Sequence, residues 1–79
     1  MNWQVTENRL CKEYKLSSFT DIVKRLKTLT EEADALNHHP DLEIFNYNQI
    51  RFRLFTNDTD SITQKDYQLA EVIDRLFSK

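Results

Sequence analysis

From Ser18 onward, Phe19, Ile22, Val23, Leu26, Leu29, Ala33 and Leu36 recur at steps of three and four, the period of an amphipathic helix with one buried stripe. The spacing predicts a helix from Ser18 to about Asn37. Ser18, with Asp21 three residues later, reads as an N-cap with an acidic partner, and Pro40 forces His39 toward extended backbone. A second helix opens at Thr63, with Asp66 at its third position, Ile62 placed to staple onto Tyr67, and Leu69, Ala70, Ile73, Leu76 and Phe77 as its apolar face. Between the helices, Leu42 to Tyr47 and Ile50 to Asn57 are β-rich runs joined by a short Asn-containing turn, the pattern of a hairpin. Ile50, Phe52 and Leu54 share one face, while Arg51, Arg53, Phe55 and Asn57 share the other, where both arginines read as solvated surface. Val5, Leu10, Tyr14 and Leu16 indicate a further pair of short strands before the first helix. The predicted order is ββαββα. It is an α+β fold of two layers, a four-stranded antiparallel sheet with two helices packed on one face, forming a single domain over residues 1–79.

Composition sharpens this picture in three ways. The chain has no glycine, so tight turns that need positive φ fall to Asn or Asp, and Asn46-Tyr47-Asn48 and Asn57-Asp58-Thr59-Asp60 are the candidates. With 79 residues it buries only about 60 to 65% of the surface of its unfolded form, so its core is thin and a homodimer or homotetramer is expected. Lys and Arg total 11 against 13 Asp and Glu, a net charge of -2 that lacks the basic excess used to hold nucleic acid, so no direct nucleic-acid partner is expected. The apolar runs are far shorter than the roughly 20 residues of a membrane span. The opening Met1-Asn2-Trp3-Gln4 has no leader-like pattern and the single Cys11 cannot close an internal disulfide, so a reducing, cytoplasmic setting is expected and Cys11 reads as packing.

The candidate chemistry lies at the end of the first helix. His38 and His39 are adjacent and the only histidines, directly after the helix and directly before Pro40. Backbone leaving a helix sends successive side chains in different directions, so two imidazoles can approach one ligand from different angles. Imidazole, with a reference pKa of about 6.5, serves as acid or base near neutrality. Asp34 stands four residues before His38, a spacing that puts carboxylate and imidazole on one helix face and allows a hydrogen bond that fixes the tautomer. On spacing alone, two histidines near a helix end are more often plain surface. Adjacent histidines seldom aim both rings at one ion, and no Cys cluster or helical His-x-x-x-His pair accompanies them, so no metal is assigned.

The segments Ala33-Asp34-Ala35-Leu36-Asn37-His38-His39-Pro40, Tyr47-Asn48-Gln49-Ile50, Leu54-Phe55-Thr56 and Ile62-Thr63-Gln64-Lys65-Asp66-Tyr67-Gln68-Leu69-Ala70 together resemble the pterin-4a-carbinolamine dehydratases over nearly the whole chain. The resemblance implies dehydration of 4a-hydroxytetrahydropterin to quinonoid dihydropterin, with no metal or cofactor. It matches His38 and His39 to the family's catalytic pair and Asp34 to its acidic partner. Asp66 matches the aspartate that opens the final helix, so Asp34, Pro40, Asn57 and Asp66 are expected around the pterin. One departure stands out: Thr56-Asn57 occupies the place of the family's Thr-His, and an amide cannot exchange a proton near pH 7. Ser61 likewise replaces the family's common glycine before the last helix. The alternative implied is a weak or inactive pterin-binding or protein-interaction module of the same fold. Animal members act as dimerisation cofactors for a homeodomain transcription factor, and here the contact surface for a protein partner would be residues 63–77.

Overall fold

In the computed structural model, which describes residues 2–78, the chain runs β1 (Gln4–Thr6), β2 (Arg9–Lys15), α1 (Phe19–Leu36), β3 (Asp41–Phe45), β4 (Gln49–Leu54) and α2 (Gln64–Phe77). Met1 and Lys79, the two ends of the expected domain, lie outside the described residues. The ββαββα order is therefore the one the periodicity predicts. All pairings are antiparallel and the sheet order is β1-β2-β4-β3, so the two long strands lie in the centre.

Register decides which side chains become core. Leu10 lies opposite Leu54, Tyr14 opposite Ile50, and Ile44 also opposite Ile50, which puts the apolar members of three strands on one face. Both helices cover that face. Ile50, Phe52 and Leu54 are fully buried there against Ile22, Leu29, Leu69, Ile73 and Phe77. Each such side chain contributes about 1.5–3 kcal/mol by leaving water. Tyr14, Phe52 and Phe77 form an aromatic cluster with ring centroids 5.1 to 6.0 Å apart. The α1 stripe is narrower than its periodicity predicts. Ile22, Leu29 and Ala33 are buried, but Phe19 and Val23, which lie at one angular edge of the stripe, are about half exposed even though Ile22 between them is fully buried. In α2 the apolar residues go into the domain's own core. What α2 leaves outside is polar apart from Tyr67 and the margins of Val72 and Leu76, so residues 63–77 offer no broad apolar docking face.

Asn and Asp take most of the positive-φ positions, as expected, but Glu7 and Tyr47 take two as well, and the Glu7-Asn8 turn lies outside the two candidate turns. Glu7 and Asn8 link β1 to β2 with φ of 51° and 62°, and Asn46 and Tyr47 turn β3 into β4 at 49° and 56°. Both β3 and β4 end earlier than the β-rich runs, at Phe45 and Leu54, because the chain turns at Asn46 and leaves the ladder after Leu54. The outer face of the sheet carries a charge ladder. Arg51 donates to Glu13 (2.7 Å) on one side and Glu43 (2.6 Å) on the other, and these bonds, to Glu13 foremost, hold its guanidinium above the usual range.

Candidate active site

The site is assembled where three chain ends meet: the C-terminus of α1, the exit of β4 and the N-terminus of α2. Helix α1 stops at Asn37, whose backbone is left-handed (φ 53°, ψ 42°). The Asn37 N–H donates to the Asp34 carbonyl and the His38 N–H to the Ala33 carbonyl, each at 3.1 Å. That pair of bonds is the Schellman stop, normally built on glycine and here on asparagine. The reversal carries His38 inward toward α2 and leaves His39 facing back along α1.

The carboxylates sort accordingly. His38 Nε2 lies 2.6 Å from Asp66 Oδ1, and His39 Nε2 lies 2.7 Å from Asp34 Oδ1. The expected Asp34–His38 pair is thus corrected: the i,i+4 spacing assumes a continuing helix, and the left-handed Asn37 ends the helix first, so Asp34 meets His39 instead.

Asp66 is fully buried, and its second oxygen is also engaged. Oδ2 accepts from the Thr63 backbone N–H (2.8 Å) and from the Thr56 hydroxyl (2.9 Å). The first of these is the returning half of a capping box at the start of α2. The Thr63 hydroxyl bonds Thr56 Oγ1 at 2.6 Å, while the Asp66 N–H uses the Thr63 carbonyl at 3.0 Å. Thr56 is itself held by backbone pairing with Ser61, with Thr56 N–H to Ser61 carbonyl at 2.8 Å. This pairing closes the loop that carries Asn57, and Asp60 supplies its positive φ of 49°. Arg9 fastens the same loop from below, stacked 3.6 Å from the Phe55 ring centroid and 3.2 Å from Asp60.

An open cleft of about 260 Å³ lies above this assembly, lined by Asn37, His38, His39, Phe55, Thr56, Asn57, Asp58 and Lys65. Both histidines and Asn57 therefore share one cavity. Asp66 and Asp34 stand behind the rings, and Pro40 fixes the exit of the chain. Lys65 on the rim lies beyond sequence patterning, which marks Thr63 only as the start of α2 and Thr56 only as part of the family motif, not as hydroxyls of the site. The signal for the hydroxyls was a Thr at the strand exit and another at the cap, both polar residues that folding buries wholly or in part. A larger hollow of about 630 Å³ on the outer sheet face is lined by Cys11, Arg51, Arg53 and their neighbours, but Arg51 there is paired to Glu13 and Glu43 and the lining contains no histidine.

The family model for pterin 4 alpha carbinolamine dehydratase matches residues 1–76. The chain belongs to that family. A protein of Herpetosiphon aurantiacus provisionally named as a pterin-4-alpha-carbinolamine dehydratase is 37% identical over 76 residues, covering 96% of this chain and 78% of its own. One from Saccharolobus solfataricus, provisionally given the same name, is 39% identical over 77 residues, covering 95% and 78%. Among solved structures, a transcriptional coactivator/pterin dehydratase from Brucella melitensis superposes with a TM-score of 0.90 at 20% identity, over 96% of this chain and 82% of that one. A pterin dehydratase-like RuBisCO assembly factor of the α-carboxysome superposes at 0.75 with 16% identity, over 99% and 89%. These two likenesses establish the shared dehydratase-family fold, which is the sheet and helix pair described above. Among the described residues, no helix is long and apolar enough to cross a membrane.

Proposed function

We propose that this protein is a pterin carbinolamine dehydratase that eliminates water from a 4a-hydroxytetrahydropterin to give the quinonoid dihydropterin. The observation that carries this reading is the pair of adjacent imidazoles on one cleft wall, each backed by its own carboxylate. The reaction needs a general acid to protonate the departing C4a hydroxyl and a general base to take the N5 proton, so two independently oriented imidazoles suit it. Such a positioned pair contributes about 10² to 10⁴ in rate. His38 and His39 act jointly as catalytic residues. Asp34 and Asp66 orient them, Asn57 offers an amide to the pterin, and Pro40 holds His39 at the mouth. The cytoplasm, where reduced pterins persist, is the proposed setting.

Asn57 supports a second reading, a pterin-binding or interaction module with little turnover, because the cleft lacks the third imidazole common in the family. A stopped-flow dehydration assay separates the two. The enzyme reading expects acceleration over the uncatalysed reaction that falls by about 10²-fold or more in His38→Ala and His39→Ala. No acceleration in the parent, together with a large gain in Asn57→His, favours the binding module.

A further inference from the structure

We propose that Thr56 is a positioning residue: by donating its proton to Asp66 and accepting one from Thr63, it holds His38 as the Nε2–H tautomer and leaves Nδ1 to meet the substrate. The hydrogen-bond arithmetic forces the direction. Thr56 Oγ1 has one proton and two close neighbours, Thr63 Oγ1 at 2.6 Å and Asp66 Oδ2 at 2.9 Å. An ionised carboxylate accepts only, so the Thr56 proton goes to Asp66 and the Thr63 hydroxyl must supply Thr56. The same carboxylate, fully buried, is left facing His38 Nε2 at 2.6 Å, and only a protonated Nε2 satisfies it there. Neutral His38 then carries its lone pair on Nδ1.

There is one rival arrangement. A neutral Asp66 would place its proton on Oδ1, because Oδ2 already receives Thr63 N–H and Thr56 O–H, and would donate it to Nε2. His38 would then be the Nδ1–H tautomer. Two donors aimed at Oδ2 favour the charged form over this one, since a buried carboxylate is retained where several donors converge on it. Removing the Thr56 donor shifts that balance toward the rival.

The tautomer is read directly by two-bond ¹⁵N–¹H correlation on the full chain with ¹⁵N-histidine at pH 8, using His39→Gln to assign the two rings. The wild type should show His38 with protonated Nε2 and unprotonated Nδ1. Thr56→Val, which keeps the shape and removes the hydroxyl, should give a mixture of tautomers, and Thr56→Ser should restore the wild-type pattern. An Nδ1–H tautomer in the wild type, or an unchanged pattern in folded Thr56→Val, overturns the proposal. Where Thr56→Val does not fold, Thr56→Ala also removes the hydroxyl that donates to Asp66, and an unmoved pattern there overturns it equally. The substrate-facing role of Nδ1 rests on the dehydratase reading: there Thr56→Val should lower kcat about tenfold with KM little changed, and Thr56→Ser should recover most of it. Wild-type protein with the expected tautomer and no turnover removes the dehydratase reading alone, whereas turnover with the opposite tautomer removes this one alone.

Discussion

His38 with Asp66 and His39 with Asp34 are bonded through the same atoms at 2.6 and 2.7 Å, yet they sit in different media. The His38 and Asp66 side chains are 12% and 0% exposed, whereas His39 and Asp34 are 58% and 74% exposed. A hydrogen bond to a carboxylate withdrawn from water is stronger than one at the surface, where water competes for both partners and side-chain freedom opposes it. One pair is thus fixed by the fold, and its neighbour is held loosely at the mouth of the cleft. Adjacent residues acquire unlike roles because the Schellman reversal at Asn37 turns one ring into the core boundary and the next out of it. Bond length alone says nothing about which of two pairs the fold depends on.

The sharpest way to break this comparison is Asp66→Asn. The amide keeps the volume but offers one acceptor where three donors converge, and its NH₂ group must face donors. Unfolding free energy should fall by about 2–4 kcal/mol, read as a lower urea midpoint at unchanged slope. The dehydration rate should fall by about 10²-fold or more as His38 loses its orientation. A loss of stability below about 0.5 kcal/mol would mean that burial does not distinguish the two pairs.

A second, half-buried acidic node on the same helix shows whether the effect belongs to the site or to hydrogen-bonded carboxylates in general. Asp74 Oδ1 accepts from Trp3 Nε1 (3.1 Å), Lys12 Nζ (2.7 Å) and the Tyr14 hydroxyl, tying the N-terminal segment and β2 to the last turns of α2. Burial alone would raise the Asp74 pKa, but the bonds from Lys12, Tyr14 and Trp3 outweigh it and hold the carboxyl below the usual range. Because the folded value is depressed, the stabilisation is complete above the ordinary carboxylate pKa of about 3.9 and is lost as pH falls through the lower folded value. Desolvation, then the bond to Asp74, pushes the Tyr14 phenol up, so stability on the alkaline side falls as pH rises past about 10. Asp74→Asn should cost about 1–2 kcal/mol at pH 7, flatten the acid limb of the stability profile and leave turnover unchanged, since the node lies two helical turns from Asp66. Thermal melts between pH 2 and 11 test it. A steep acid limb surviving in Asp74→Asn would place the acid sensitivity elsewhere, with the Asp21 carboxyl, held below the usual range by Arg25, as the next candidate.

The two nodes also separate what patterning could reach from what it could not. The 3.6-residue period of Ile22, Leu29 and Ala33 and the alternation of Ile50, Phe52 and Leu54 follow from local geometry, so the helices, the sheet and most of the core are legible in the sequence. His38, His39, Asp34, Asn57 and Asp66 are legible as a set through the family motif. Their pairing is not, because it depends on a backbone reversal at one asparagine. Nor is the Trp3–Lys12–Tyr14–Asp74 node, whose first three members lie 60 to 71 positions from Asp74 and meet it only once β2 has packed on α2. The half-exposed Phe19 and Val23 escape the periodicity for a related reason: period says which face is apolar but not how wide a strip of that face the fold covers, and fully buried Ile22 lies between them along the helix.

The smallest effect expected is also the most discriminating one for the exposed pair. Asp34→Asn removes a charge whose side chain is mostly in water, so stability should change by no more than about 0.5 kcal/mol. If His39 needs only loose orientation, turnover should fall by a factor of about two to five, by the fraction of time the ring spends misaligned rather than by loss of a fixed tautomer. At a pH where His39 is protonated, the parent protein should lose a similar factor in rate on raising salt from 0.05 to 1 M, since the Debye length shrinks to about 3 Å and screens the exposed pair. Asp34→Asn should then be nearly salt-independent. A variant that keeps the parent's salt response would place that response elsewhere on the cleft, with Lys65 and Asp58 on its rim as the remaining charged groups, and would leave His39 oriented by Pro40 and the backbone alone.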